Sequence, residues 1–147
     1  MLHRRLPIRH GLFLTTVVSL LIASVGCGES GPQRFAVSGQ VTFDGAPIES
    51  GEILLRPDQA TKAPTIAAAV ENGAYSIPAE RGPLAGTYVI VITAERKTGK
   101  KVQAEMIGSE TTDQYEQYVP RKYNDESTLS TTIGSSRDDL NFELRSK

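Results

Sequence analysis

Apolar and polar residues begin to alternate at Phe35, and the chain returns to that period almost to its end. Phe35, Val37, Gly39, Val41 and Phe43 point one way, while Ala36, Ser38, Gln40 and Thr42 point the other. This is the pattern of a half-buried strand. Asp44-Gly45 follows, a pair that takes up the positive φ angles of a tight hairpin turn. After Pro47-Ile48 and Gly51, a second strand reads Ile53, Leu54, Leu55 and Arg56 until Pro57 ends it. A polar loop holds Asp58, Lys62 and Pro64. Ile66, Ala68 and Val70 then alternate up to Asn72-Gly73, a further hairpin signal, and Tyr75 and Ile77 continue beyond it.

The most apolar strand runs from Thr87 to Ala94. Tyr88, Ile90 and Ile92 share one face and Val89 and Val91 the other, which predicts a central position in a sheet. Residues 95–128 are polar and charged without sustained alternation, so they read as a long loop with Met106 and Ile107 as its anchor. A loop of that length in a small domain points to function or disorder. Leu129, Thr131 and Ile133 restart the pattern, 135–138 turn the chain, and Leu140, Phe142 and Leu144 form a last strand. Seven short strands without a helix predict a single all-β domain over 35–147, a β-sandwich.

Upstream of that domain the pattern is of another kind. Arg4, Arg5 and Arg9 precede an apolar stretch from Gly11 to Val25, then the small residue Gly26 and Cys27, the one cysteine of the chain. A charged start, an apolar middle and a small-residue exit make an export signal over 1–26. The stretch is too short and too diluted by Thr15, Thr16 and Ser19 for a membrane span, which needs ~20 apolar residues. Ser24-Val25-Gly26-Cys27 fits a lipobox beside the cysteine, although Ser24 departs from the usual leucine. Cys27 is therefore expected to be the first mature residue, carrying diacylglycerol and acyl chains such as palmitate. The alternative is an ordinary signal cut after Gly26, with Cys27 incidental. The small, polar residues 27–34 suit a flexible tether.

Removing 26 of 147 residues leaves 13 basic and 17 acidic side chains, a net charge of −4. The one dense basic cluster is Arg96, Lys97, Lys100 and Lys101, too little for the basic face of a nucleic-acid binder. His3 and His10 both fall in the signal. The mature chain then lacks histidine, tryptophan and a second cysteine, so neither a Ser-His-Asp or Cys-His site nor an imidazole-thiolate metal site can be assembled. Asp125-Glu126 and Asp138-Asp139 offer oxygen ligands but no calcium-loop spacing, and they read as hydrated turn residues. No metal or cofactor is expected. Glu105, Glu110, Asp113 and Glu116 are the carboxylates on which a hydrolase would draw, and they read as a solvated charged surface instead.

The assembled motifs resemble a known family. Val37-Ser-Gly-Gln-Val-Thr-Phe-Asp-Gly45 with Pro47, Gly51 and Pro57, then Asn72-Gly-Ala-Tyr75, then Gly86-Thr-Tyr88, are similar to the carboxypeptidase regulatory-like domain. The resemblance spans roughly 35–94 and implies a seven-stranded Greek-key, transthyretin-like (prealbumin-like) β-sandwich. Val119-Pro-Arg-Lys-Tyr-Asn-Asp-Glu-Ser-Thr-Leu129 is similar to a segment of small bacterial lipoproteins that carry this domain. A transthyretin-like relative hydrolyses 5-hydroxyisourate with histidines and a Tyr-Arg-Gly-Ser tail. This chain ends Leu144-Arg-Ser-Lys147 and keeps no mature histidine, so that activity is not expected.

The functional expectation is a non-catalytic lipoprotein of the cell envelope. It would be anchored to a bacterial membrane through Cys27, face the periplasm or the exterior, and serve as an accessory or structural binding module for an envelope protein or polysaccharide. The alternative is a saccharide- or peptide-binding module acting through 95–128, with Tyr115, Tyr118, Tyr123 and Asn124 as contacts. An exposed sheet edge offers another route to a partner strand. For Pro120, Tyr123, Asn124 and Asp125 the structural alternative is a turn that pins the returning chain to the sandwich.

Overall fold

Two turns of the same kind organise the first half of the domain. In a computed structural model describing residues 31–103 and 111–147, Asp44-Gly45 has φ of 50° and 86°, and Asn72-Gly73 has 50° and 82°. Positive φ at both central residues gives the turn whose twist matches that of the flanking strands. The first turn joins β1 (Val37–Phe43) to β2 (Ala46–Pro47), and the second joins β4 (Ile66–Glu71) to β5 (Ala74–Ile77). Gly73 is required twice over, since a Cβ there would also lie 2.6 Å from Cβ of Pro47.

Nine strands lie among the described residues, where the alternation predicts seven. β3 is Ser50–Pro57, β6 Gly86–Gln103, β7 Thr111–Gln117, β8 Ser130–Ile133 and β9 Phe142–Leu144. One layer holds β4, β3 and β6, all antiparallel, with β8 and β7 following one another along the far edge of β6. The other holds β5 and β1, with β2 continuing beside β5 and β9 running parallel to β1 on its opposite edge. The layers meet at the β4–β5 turn, where Glu71 pairs with Ala74, so the sheet curls over one core. Val37, Val41, Ile53, Leu55, Val70, Tyr88, Ile90, Ile92, Ile133 and Leu144 fill that core and are almost wholly buried. Each such side chain contributes roughly 1.5–3 kcal/mol of burial.

The expected loop over 95–128 is corrected over 95–103 and 111–117, which are strand. β6 does not stop at Ala94. It runs on to Gln103 and pairs with β7 in a two-stranded arm whose side chains are almost all exposed or half-buried. Neither face of the arm touches the core, so no apolar alternation marks it. Charge complementarity takes its place, with Arg96 opposite Glu116 in the register and Lys97 within 2.7 Å of Asp113. The register shifts between Lys97 and Lys101, where Gly99 has φ of 77°. Met106 and Ile107 lie outside the described residues.

Residues 118–129 are a loop that makes a detour, built of turns with a 3-10 turn at Arg121–Tyr123. They pass along the edge of β6 between β7 and β8 and keep its backbone bonded. The Tyr118 amide donates to the Ala94 carbonyl (3.2 Å), and the Ile90 amide to the Leu129 carbonyl (2.7 Å). Side chains fill the remaining places: Gln117 Oε1 accepts from the Ala94 amide at 3.0 Å, and Ser127 Oγ donates to the Ile90 carbonyl. This is how a polar stretch keeps the β6 edge satisfied.

Candidate functional site: a cleft at the base of the arm

The arm leaves the body beside the turn that joins β2 to β3, and a cleft of about 530 Å³ opens between them. Its walls are Glu49 of the turn, Ser50 at the start of β3, Glu95, Arg96 and Lys97 of β6, and the rings of Tyr115 and Tyr118. A hollow of about 310 Å³ shares Ser50, Glu95 and Tyr115 and extends it along β3.

The two tyrosines differ in what holds them. Tyr118 is half-buried and meets Phe43 edge-on, with ring centroids 5.4 Å apart at 78°. The Arg96 guanidinium lies 5.4 Å from its centroid. Burial raises the Tyr118 phenol above its ordinary range, the Glu49 carboxylate adds to this, and Arg96 opposes it. Tyr115 is 52% exposed on the arm, with Lys97 Nζ 6.0 Å from its ring centroid. One ring is thus a fixed wall and the other a presented face.

The charges are organised in cross-strand pairs. Arg96 Nε and a terminal guanidinium nitrogen each reach Glu116 Oε1 at 2.9 Å. Lys97 Nζ lies 2.7 Å from Asp113 Oδ2, and that hydrogen bond holds the amine protonated beyond its ordinary range. Such exposed pairs add little stability, but they orient the two cations beside the tyrosine rings. The arrangement combines aromatic faces with directional donors and acceptors at the rim of an open cleft, the composition of a site for a small polar ligand with an apolar face.

Tyr123 and Asn124 stand apart from this cleft. Tyr123 is half-buried, its hydroxyl accepts from the Arg145 amide at 3.1 Å, and Lys122 Nζ lies 5.1 Å from its ring centroid. Asn124 is 5% exposed. Its Nδ2 donates to the carbonyls of Val119 (3.0 Å) and Pro120 (3.3 Å), and its Oδ1 accepts from the Asp125 amide (2.7 Å). Both residues hold the 3-10 turn Arg121–Tyr123 and the detour against the body. Of the four aromatic and amide candidates, the structure brings only Tyr115 and Tyr118 together.

The carboxylates divide likewise. Asp113 and Glu116 are paired with cations, while Glu105 and Glu110 lie outside the described residues, as does Cys27. Arg121 is 3.2 Å from Glu126 and 4.0 Å from Asp125, and Arg137 is 2.9 Å from Asp139. Among the described residues no three histidine, cysteine, aspartate or glutamate side chains converge, and no helix there is long and apolar enough to cross a membrane. Glu49, Glu95, Arg96 and Lys97 join the cleft without having been singled out as site residues. The sequence signal for two of them is the Arg96-Lys97 pair in an otherwise dispersed charge pattern. Compared with family models, with curated proteins and with solved structures, the chain matches none.

Proposed function

We propose that this chain is a non-catalytic, lipid-anchored module of a bacterial cell envelope that binds saccharide through the cleft at the base of its arm. The observation that carries the reading is the exposed ring of Tyr115 beside Lys97 at the mouth of a cleft walled by Tyr118. The C–H face of a sugar ring stacks on such an aromatic face, and its hydroxyls bond to carboxylates and cations placed around it. Pairing of Asp113 and Glu116 with Lys97 and Arg96 favours binding over hydrolysis, because both carboxylates are already engaged across the strands. Ser24-Val25-Gly26-Cys27 supports the anchor, and the module is read as a carboxypeptidase regulatory-like Greek-key sandwich on the motifs from Val37 to Tyr88.

The test is titration of the full chain with neutral, amino and uronic-acid oligosaccharides, following heat and tyrosine fluorescence. Binding of one class, lost in Tyr115→Ala with the melting temperature unchanged, supports the reading. Absence of binding to every class, or binding that survives Tyr115→Ala and Tyr118→Ala, overturns it.

A further inference from the structure

β4 and β5 share a turn and then part. Among the described residues Glu71 and Ala74 are the only positions at which they pair. Beyond them β4 follows β3, and β5 follows β1. The divergence leaves a trough of about 590 Å³ between 66–69 of β4 and 76–77 of β5. A shallower hollow of about 280 Å³ shares Ala69 and Ser76 and extends it toward Glu71 and Tyr75.

The turn decides which backbone groups face this trough. In a two-residue hairpin the flanking residues, here Glu71 and Ala74, exchange the closing hydrogen bond. Strand alternation then turns the N–H and C=O of Ala69 and Ala67 to the same edge, and those of Ser76 toward it from β5. Among the described residues no strand pairs along that edge. Ala67 and Ala69 are exposed and Ala68 is half-buried, and β4 itself, which Pro64 precedes, carries none of the lysines, prolines or bulges that usually block strand addition.

Charge selects the occupant. Arg34 and Arg81 border the trough, and no carboxylate lines it between 64 and 69. Arg34 is held in place, its guanidinium donating to the Gly82 carbonyl at 2.8 Å. Among the described residues neither arginine belongs to an ion pair. We propose that the trough docks an extended, acidic polypeptide segment, which adds to β4 through its main chain and sets its carboxylates on Arg34 and Arg81. Backbone pairing supplies affinity and the two guanidinium groups supply selection. The surface shares no residue with the cleft at the arm, so it stands or falls independently of the saccharide reading.

The probe is a fluorescein-labelled synthetic peptide, Gly-Glu-Thr-Val-Thr-Glu-Gly, titrated into the full chain and followed by anisotropy. Two controls keep its shape: one with lysine in place of glutamate, and one N-methylated on alternate amides. The acidic peptide is expected to bind saturably and to weaken as salt rises. Both controls, and the exposed-site variant Arg81→Glu, are expected to weaken binding by about tenfold or more. Ala67→Pro deletes an edge-facing N–H and is expected to abolish binding; the N-methylated peptide makes the same test without touching the protein's fold. Failure of the acidic peptide to bind, or equal binding of the N-methylated one, overturns the proposal. A concentration-dependent dimer broken by Ala67→Pro, without peptide binding, also overturns it and assigns the edge to a second copy of the chain.

Discussion

The hydroxyl of Tyr75 donates to the main-chain carbonyl of Leu140, 2.7 Å away, across a space that Gly39 leaves open. Gly39 is paired with Tyr75 in the β1–β5 register, and a Cβ at Gly39 would collide with that same carbonyl. The approach of 137–141 to β1 is thus set by a glycine that makes room and a tyrosine that fastens. Burial raises the Tyr75 phenol above its ordinary range, so it stays a donor throughout the physiological range. Tyr75→Phe leaves the carbonyl without its partner and is expected to cost about 1–3 kcal/mol, read as a drop in thermal midpoint. Gly39→Ala should cost more, since backbone has to move. Equal melting of both variants and the parent would refute this account of the C-terminal segment.

Asn124→Ala and Tyr115→Ala should behave in opposite ways. Removing the Asn124 amide leaves the Val119 carbonyl and the Asp125 N–H without its bonds, while the Pro120 carbonyl keeps the Tyr123 amide, an expected loss of about 1–3 kcal/mol. Tyr115→Ala removes an exposed ring and is expected to stay within about 0.5 kcal/mol of the parent. Chemical denaturation distinguishes them. Comparable destabilisation by the two would contradict the division between a structural detour and a presented face.

Asp44 accepts from the Ser146 amide at 2.9 Å, and that bond holds its carboxyl below the ordinary aspartate range. A depressed native value means that the folded state binds fewer protons than the unfolded one through this interval. The tie is therefore complete above about pH 4, the unfolded aspartate value, and is lost as pH falls through the lower native one. Amide exchange at Ser146 should accelerate in that acid window, and Asp44→Asn should remove the pH dependence. A Ser146 amide whose exchange ignores Asp44→Asn would show the tie to be absent in solution.

Neutralising Arg96 and Glu116 together should change global stability by less than about 1 kcal/mol, because both ends are exposed and screened. Hydrogen exchange in the arm should quicken nonetheless, since the exposed β6–β7 ladder has no core packing behind it. A large global loss would mean that the arm folds as part of the core.

Anchoring is read from mass. The membrane fraction should yield a chain beginning at Cys27 with a diacylglyceryl-sized increment, absent from Cys27→Ala. An unmodified chain in the soluble fraction would remove the anchor from the proposed function.

The body of the fold was legible because its strands bury one face. Val37, Val41, Ile53, Leu55, Tyr88, Ile90 and Leu144 announce themselves by period, and Asp44-Gly45 and Asn72-Gly73 by backbone preference. The arm was not, because Lys97, Asp113, Arg96 and Glu116 pair across strands with no apolar face to leave a period. Tyr115 and Tyr118 were recognisable as aromatic faces in a polar stretch. That Tyr123 and Asn124 point elsewhere fits the turn chemistry of Pro120, Tyr123, Asn124 and Asp125, whereas the distant partner of Tyr123, the Arg145 amide, has no local signature. Glu49 and Glu95 enter the cleft only once the β2–β3 turn is set beside the arm.

One strand, β6, both lies in the core beside β3 and forms half of the arm. A tug on the arm directed along β6 is delivered lengthwise, so the seven β3–β6 pairs from Gly51↔Ala94 to Pro57↔Tyr88 are loaded in shear and bear it together. A pull across the strand would part them in succession, as a zip. The domain is thus mechanically anisotropic, stiff along β6 and compliant across it, and its resistance to load follows the rate at which that shared ladder ruptures.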